Sequence, residues 1–76
     1  MTYTDASIPR DSLVTPQLLH REAVAQLEKA VKHHQQAALL HDVGDARQAE
    51  THGSIAYNHT ARALDASGRA MNVLLW

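Results

Sequence analysis

The 76-residue chain contains no cysteine, which excludes disulfide bonds, zinc–thiolate sites and thiol catalysis. Phenylalanine is also absent, and two prolines and three glycines are few for a chain rich in turns or disordered segments. No stretch approaches the ~18 consecutive apolar residues that a membrane-spanning helix needs. We therefore expect no membrane segment. Because no basic start is followed by an apolar run, we also expect no secretory signal and a cytoplasmic location.

The sequence also lacks an excess of positive or negative charge, and it lacks familiar catalytic and phosphate-binding motifs. Seven basic and eight acidic residues give a formal net charge of −1, which provides no electrostatic attraction to nucleic acid or to an anionic membrane. Glycine-rich phosphate loops, nucleophile elbows and His-Glu-x-x-His motifs do not occur in the sequence. The sequence predicts a protein that is not an enzyme and that has no obligatory cofactor.

Large apolar side chains are few for a chain of this size. Hydrophobic residues make up 45% of the sequence, but thirteen of them are alanine. Domains below roughly 70–80 residues rarely bury enough apolar surface alone and usually depend on disulfides, a metal or a partner chain. With cysteine absent, we expect a partner chain or a metal to complete the fold.

The first helix has a clear predicted start. Residues 1–14 are polar and irregular, and we expect a flexible N-terminal arm there, followed by a helical hairpin over residues 15–76. Thr15 suits the N-cap, and Pro16 suits the first helical position, where its missing N–H costs nothing. The uninterrupted run of helix-forming residues that follows predicts a helix over about 16–42.

The second helix is predicted to follow a tight turn. Gly44 is suited to the left-handed conformation that ends a helix. Asp45 then caps the next helix, and Gln48, three residues later, is the reciprocal half of a capping box. We expect this helix over about 46–73, antiparallel to the first.

Alanine recurs at every seventh position in both predicted helices, namely at Ala23, Ala30 and Ala37 and at Ala49, Ala56, Ala63 and Ala70. This repeat favours left-handed antiparallel packing with the helix axes close together. In the first helix we expect two flanking rows on the buried face: His20, Leu27, His34 and His41 on one side, and Val24, Val31 and Ala38 on the other. In the second helix the expected flanking row is His52, His59, Ala66 and Val73.

A second apolar stripe on the second helix points away from the alanine row. A helix with two apolar stripes has two neighbours, and a hairpin provides one. We therefore expect two hairpins to pair into a homodimeric four-helix bundle. The predicted interface consists of Tyr57, Leu64, Met71, Leu75 and Trp76.

Six histidines are many for 76 residues. Five of them lie in or beside the expected apolar faces, whereas His33 is expected to be exposed. A fold about residues 43–44 brings His34 close to His52. Three interpretations remain open: hydrogen-bonded fillers of the core, an acid-responsive interface, and ligands for a transition metal or haem. The candidate metal ligands are His34, His52 and His59.

The stretch from Ala37 to His52, followed by Ala56 and His59, resembles a class of short, uncharacterised bacterial proteins. These proteins are rich in alanine and histidine and have a Gly-Asp turn followed by Ala-x-x-His steps. The resemblance implies a helical hairpin and no established activity. The predicted function is thus a non-catalytic homodimeric interaction module. The alternatives are a metal- or haem-binding four-helix bundle and an adaptor for another protein.

Overall fold

The computed structural model describes residues 14–74 of the chain, and the side chains of residues 14–72. It contains two α-helices, α1 (Pro16–Asp42) and α2 (Ala46–Leu74). They pack against each other along their length as an antiparallel hairpin. The predicted all-α hairpin is thereby confirmed.

Several of the sequence-based expectations lie outside the described residues. They concern the N-terminal arm, of which residues 1–13 are not described, and the interface residues Leu75 and Trp76. The expected burial of the Val73 side chain also lies outside this range. The expected ranges of the helices were about 16–42 and 46–73.

Helix α1 begins as its sequence predicts. Thr15 has extended backbone angles (φ −103°, ψ 159°), and its Oγ1 accepts a hydrogen bond from the Leu18 N–H at 3.1 Å. Pro16 occupies the first turn, where no intrahelical partner for its nitrogen is required. The cap satisfies a backbone donor that the helix itself leaves unpaired.

The turn between the helices uses both backbone and side-chain caps. Gly44 has φ +84°, and its N–H donates to the His41 carbonyl at 3.1 Å while the Asp45 N–H donates to the Leu40 carbonyl at 2.8 Å. These two bonds form a Schellman motif. Asp45 Oδ1 then accepts from the Gln48 N–H at 3.1 Å, as expected. The expected reciprocal bond from the Asp45 N–H to the Gln48 side chain is replaced, because this N–H donates to the Leu40 carbonyl instead.

The interface between α1 and α2 is built mainly from alanine. Among the described residues, the buried side chains are Leu19, Ala23, Gln26, Ala30 and Ala37 of α1 and Ala49, Ala56, Ala63, Ala66 and Ala70 of α2. Both predicted alanine rows are therefore buried. Small side chains allow two helices to approach closely, but each buries little apolar area.

The rows that flank the alanines of α1 differ from the expected ones. Interface positions in a paired helix alternate in steps of four and three residues. From Ala23, Ala30 and Ala37, these steps select Leu19, Gln26, His33 and Leu40. Leu19 and Gln26 are buried, and His33 and Leu40 are half-buried. In α2 the same spacing runs through buried or half-buried positions, and we call these positions of the two helices the seam; those of α2 are Ala49, His52, Ala56, His59, Ala63, Ala66 and Ala70.

The expected flanking residues of α1 face outward instead. Val24, Leu27 and Val31 remain 54%, 47% and 54% exposed. His20, His34, Ala38 and His41 are exposed as well. The expectation was wrong because it was based on the apolar content of the rows. The residues that contact α2 are instead those that follow the four-and-three spacing.

We expect Gly44→Ala to destabilise the hairpin by about 1 kcal/mol, since an L-residue pays for a left-handed backbone even where no atom obstructs its Cβ. Gly68→Ala is the matched control. Gly68 lies within α2, and the position that an alanine Cβ would occupy there is open, so this substitution should stabilise the hairpin by up to about 1 kcal/mol. Urea unfolding measures the free energy of unfolding of both variants. If the two substitutions changed it in the same direction, the role of Gly44 in the turn would be contradicted.

We expect Ala56→Leu to destabilise the hairpin by about 1–3 kcal/mol, because Ala56 is fully buried and a larger side chain must push the helices apart. Ala46→Leu, at an exposed position of α2, should change the free energy of unfolding by less than about 0.5 kcal/mol. Thermal unfolding monitored by circular dichroism compares the two. An Ala56→Leu protein as stable as the wild type would show that the helices are not in close contact.

Candidate functional site

Two histidines from opposite helices meet in the seam. Nδ1 of His33 in α1 lies 3.0 Å from Nδ1 of His52 in α2, which is hydrogen-bond distance. The ring centroids are 5.2 Å apart, with an angle of 25° between the ring planes. Both side chains are half-buried. The pair thus forms a direct polar contact between the helices.

A third histidine extends this contact along the seam. The ring of His59 is stacked on that of His33, with centroids 5.9 Å apart and an interplanar angle of 16°. We call His33, His52 and His59 the histidine cluster. It contains half of the histidines of the chain, and in α2 its two members flank the buried Ala56.

A buried glutamine fixes the hydrogen on His59. Gln26 is 8% exposed, and its Nε2 donates to Glu22 Oε2 at 2.8 Å. This bond directs Gln26 Oε1 toward His59 Nδ1, at 2.6 Å. Because an amide oxygen can only accept, His59 Nδ1 must carry the hydrogen. The chain of bonds satisfies a polar side chain that burial would otherwise penalise.

The surroundings of His59 disfavour its charged form. Loss of hydration is the largest effect that lowers the pKa of His59, and the positive charges of Arg62 and Lys29 lower it further, with a smaller effect of His33. A histidine whose pKa is lower in the folded than in the unfolded state stabilises the fold at neutral pH. This stability is lost as the pH falls below about 6.5, the ordinary value.

The structure brings together only part of the predicted metal set. His52 and His59 lie in the seam, whereas His34 is exposed and lines a shallow groove with Ala38 and Tyr57. Within residues 14–74, no three histidine, aspartate or glutamate side chains are placed to hold one metal ion. The geometry therefore identifies no metal ligand in this region, and metal binding by His34, His52 and His59 stays a prediction.

Two residues that form contacts in the histidine cluster, His33 and Gln26, were not predicted from the sequence. His33 was expected to be exposed, and Gln26 was not considered. Both follow from the alternating spacing, since Gln26 is three residues after Ala23 and His33 is three residues after Ala30. Their polar character concealed them, because the search for the buried face favoured apolar rows.

One side of the hairpin is broadly apolar. Tyr57, Leu64 and Met71 of α2 are 72%, 74% and 57% exposed. Leu27 and Leu64 line one shallow depression between the helices, which places the exposed apolar side chains of α1 and the apolar stripe of α2 on the same side of the hairpin. We call this surface the apolar face; its large side chains are Val24, Leu27, Val31, Tyr57, Leu64 and Met71.

Neither helix of the described region has an apolar stretch sufficient to cross a bilayer. Comparisons of the chain with protein-family models, curated proteins and solved structures found no match. The site must therefore be interpreted from its own geometry.

We expect His33→Ala to destabilise the hairpin by about 1–2 kcal/mol near neutral pH, because it removes a hydrogen bond and two ring contacts and leaves His52 without this partner. The neighbouring substitution His34→Ala is the matched control and should change stability by less than about 0.5 kcal/mol, since His34 is exposed. Urea unfolding distinguishes them. A larger loss of stability for His34→Ala than for His33→Ala would contradict the placement of His33 in the seam.

Proposed function

We propose that the chain is a non-catalytic interaction module in which two hairpins pair through their apolar faces into a homodimeric four-helix bundle. The observation that supports this proposal is the exposure of Tyr57, Leu64 and Met71 on a face that also includes Leu27 of the other helix. Single exposed apolar residues are normal, whereas several on one side of a molecule are typical of an interaction surface.

The composition of the seam explains why a second layer is needed. Between the helices, alanine supplies nearly all of the buried apolar side chains among the described residues, with Leu19 the one larger one. Full burial of a leucine, valine or methionine contributes about 1.5–3 kcal/mol. Six of the nine large apolar side chains that are exposed in the described hairpin lie on the apolar face, so covering that face would bury most of them.

The chemistry of the face favours a second copy of the same chain as its partner. A two-fold interface places the same surface against itself, so charges of one sign within it would repel. Thr60 and Ser67 lie between the two apolar stripes, beside Leu27 and Leu64. These residues carry no charge, whereas Glu50 lies in the groove beside Tyr57, toward the turn. The net charge of −1 adds little repulsion between two chains.

We expect the wild type to have twice its chain mass in sedimentation equilibrium at low micromolar concentration. The double variant Leu64→Glu, Met71→Lys should have the single-chain mass, because pairing would bury two charges from each chain. Both side chains are exposed in the hairpin, so the substitutions leave the seam intact.

The matched control is Thr51→Glu, Asn72→Lys. It introduces the same two charges at exposed positions of α2 that do not line the depressions of the apolar face, and it should remain dimeric. If the Leu64 and Met71 variant stays dimeric, the interface lies elsewhere. If the wild type is monomeric, the dimer is wrong, and an adaptor for another protein becomes the better interpretation of the same face.

A further inference from the structure

The geometry of the His33–His52 pair shows what lies between the two rings. The Nδ1 atoms are 3.0 Å apart and the ring centroids 5.2 Å apart. The difference is about the sum of the two centroid-to-nitrogen distances within the rings, so the nitrogens lie between the rings and face each other. A metal ion needs two bare nitrogens whose lone pairs converge on a third point, at about 2.0–2.1 Å from each. Nitrogens that face each other at this distance are instead joined by one hydrogen.

The number of protons that the pair can hold follows from this contact. In the neutral pair, one ring donates from Nδ1, and the other accepts at Nδ1 and has its own hydrogen on Nε2. A first added proton can bind to Nε2 of the donor ring without disturbing the contact. A second added proton must bind to the accepting Nδ1, so that two N–H groups point at each other. The doubly charged pair therefore loses its hydrogen bond.

Most of the charged groups near the histidine cluster oppose a further positive charge. From α1, Lys29 lies close enough to influence His59. Glu22, also from α1, is negative and accepts from the Gln26 amide. From α2, His59 is stacked on His33 and Arg62 lies beside it. Gln26 holds the Nδ1 hydrogen of His59 in place, so an added proton on His59 must bind to Nε2. Protonation of the whole histidine cluster would place three positive charges next to two more.

We propose that the histidine cluster is an acid-sensitive switch within the hairpin, in which the shared hydrogen between His33 and His52 joins α1 to α2 and a second proton separates them. The switch lies between the helices of one chain. It is independent of the proposed pairing of two chains, which uses a different part of the helix surface.

The direction of the pH dependence follows from proton counts. In the unfolded chain each histidine takes up a proton near pH 6.5. Because the second proton would break the hydrogen bond between His33 and His52, the proposed switch has the folded cluster bind fewer protons than the unfolded one at low pH, and the free energy of unfolding should decrease as the pH falls. Each proton withheld by the folded state increases the unfolding equilibrium constant by up to about tenfold per pH unit below about 6.5.

The test compares two double variants that each remove two histidines. His33→Gln, His52→Gln removes the pair, and His20→Gln, His34→Gln removes two exposed histidines. Because His34 lines the groove beside Tyr57, both double variants are also made in the Leu64→Glu, Met71→Lys background, in which the proposed pairing of chains is abolished. Urea unfolding at several pH values between about 8 and 5 gives the unfolding equilibrium constant of each protein. The wild type and the His20, His34 variant should show the steep rise toward low pH, and the His33, His52 variant should lose most of it. Equal slopes in all three proteins would overturn the proposal.

A spectroscopic measurement keeps the proposal testable if the pair variant fails to fold. Long-range ¹H–¹⁵N correlation spectra of the wild type near pH 8 report the position of each ring hydrogen. We expect one of His33 and His52 to carry its hydrogen on Nδ1 and the other on Nε2, and His59 to carry it on Nδ1. A pair with both hydrogens on Nε2 would have no shared hydrogen and would overturn the switch.

Protein concentration separates this switch from dimerisation. Unfolding of the wild type is measured at about 5 and about 100 µM, since linked association makes apparent stability depend on concentration. The pH slope should be the same at both concentrations, and also in the Leu64→Glu, Met71→Lys variant. A slope that appears only in the dimeric protein would assign the acid response to the interface between chains and overturn its placement in the seam.

Discussion

Close contact between two rows of alanine is the constraint on which the other features of the hairpin depend. Ala30 and Ala37 of α1 and Ala49 and Ala56 of α2 have almost no exposed surface. Side chains of this size hold two helices together only if the backbones come close. The close approach then brings the intervening seam residues within hydrogen-bond distance of each other, as at His33 and His52. A seam of leucines would separate the helices and replace the polar contacts by apolar ones.

Because the seam is filled mainly by small side chains, most of the large apolar side chains of the hairpin remain on its surface. Apart from Leu19 and Leu40, the seam consists of alanine, histidine and glutamine, while Leu27, Leu64 and Met71 stay on the surface of the hairpin. Polar contacts contribute modestly to net stability because they exchange with water in the unfolded chain. The apolar face and the histidine cluster therefore differ: the first holds six of the nine large exposed apolar side chains of the described hairpin, and the second is the polar contact between the helices for which we propose acid sensitivity.

The two helices could be predicted from local signals in the sequence. The histidine cluster could not, because its contacts depend on which residues of the two helices face each other. Thr15, Gly44 and Asp45 act within a few residues of themselves, so their capping roles were predictable. The identity of the row beside the alanines in α1 depends on which neighbour it meets. Apolar Val24 and Val31 suggested one side, but the four-and-three spacing selects Gln26 and His33. Buried polar residues oppose the hydrophobic signal, and only pairing across the seam, as Gln26 with His59, explains them.

The identical spacing of the alanines has a further effect on how the helices align. A slip of one helix along the other by seven residues would again place alanine against alanine, so apolar packing alone leaves several alignments nearly equal in energy. The polar positions repeat only once, since Gln26 and His33, and likewise His52 and His59, are seven residues apart. A slip in one direction would keep His33 beside a histidine, His59, but would leave Gln26 beside Ala66. A slip in the other direction would keep Gln26 beside a histidine, His52, but would bring His33 to Asp45. The short turn at Gly44 and these unequal polar pairs thus select one alignment, at a cost in stability that a seam of uniform side chains would avoid.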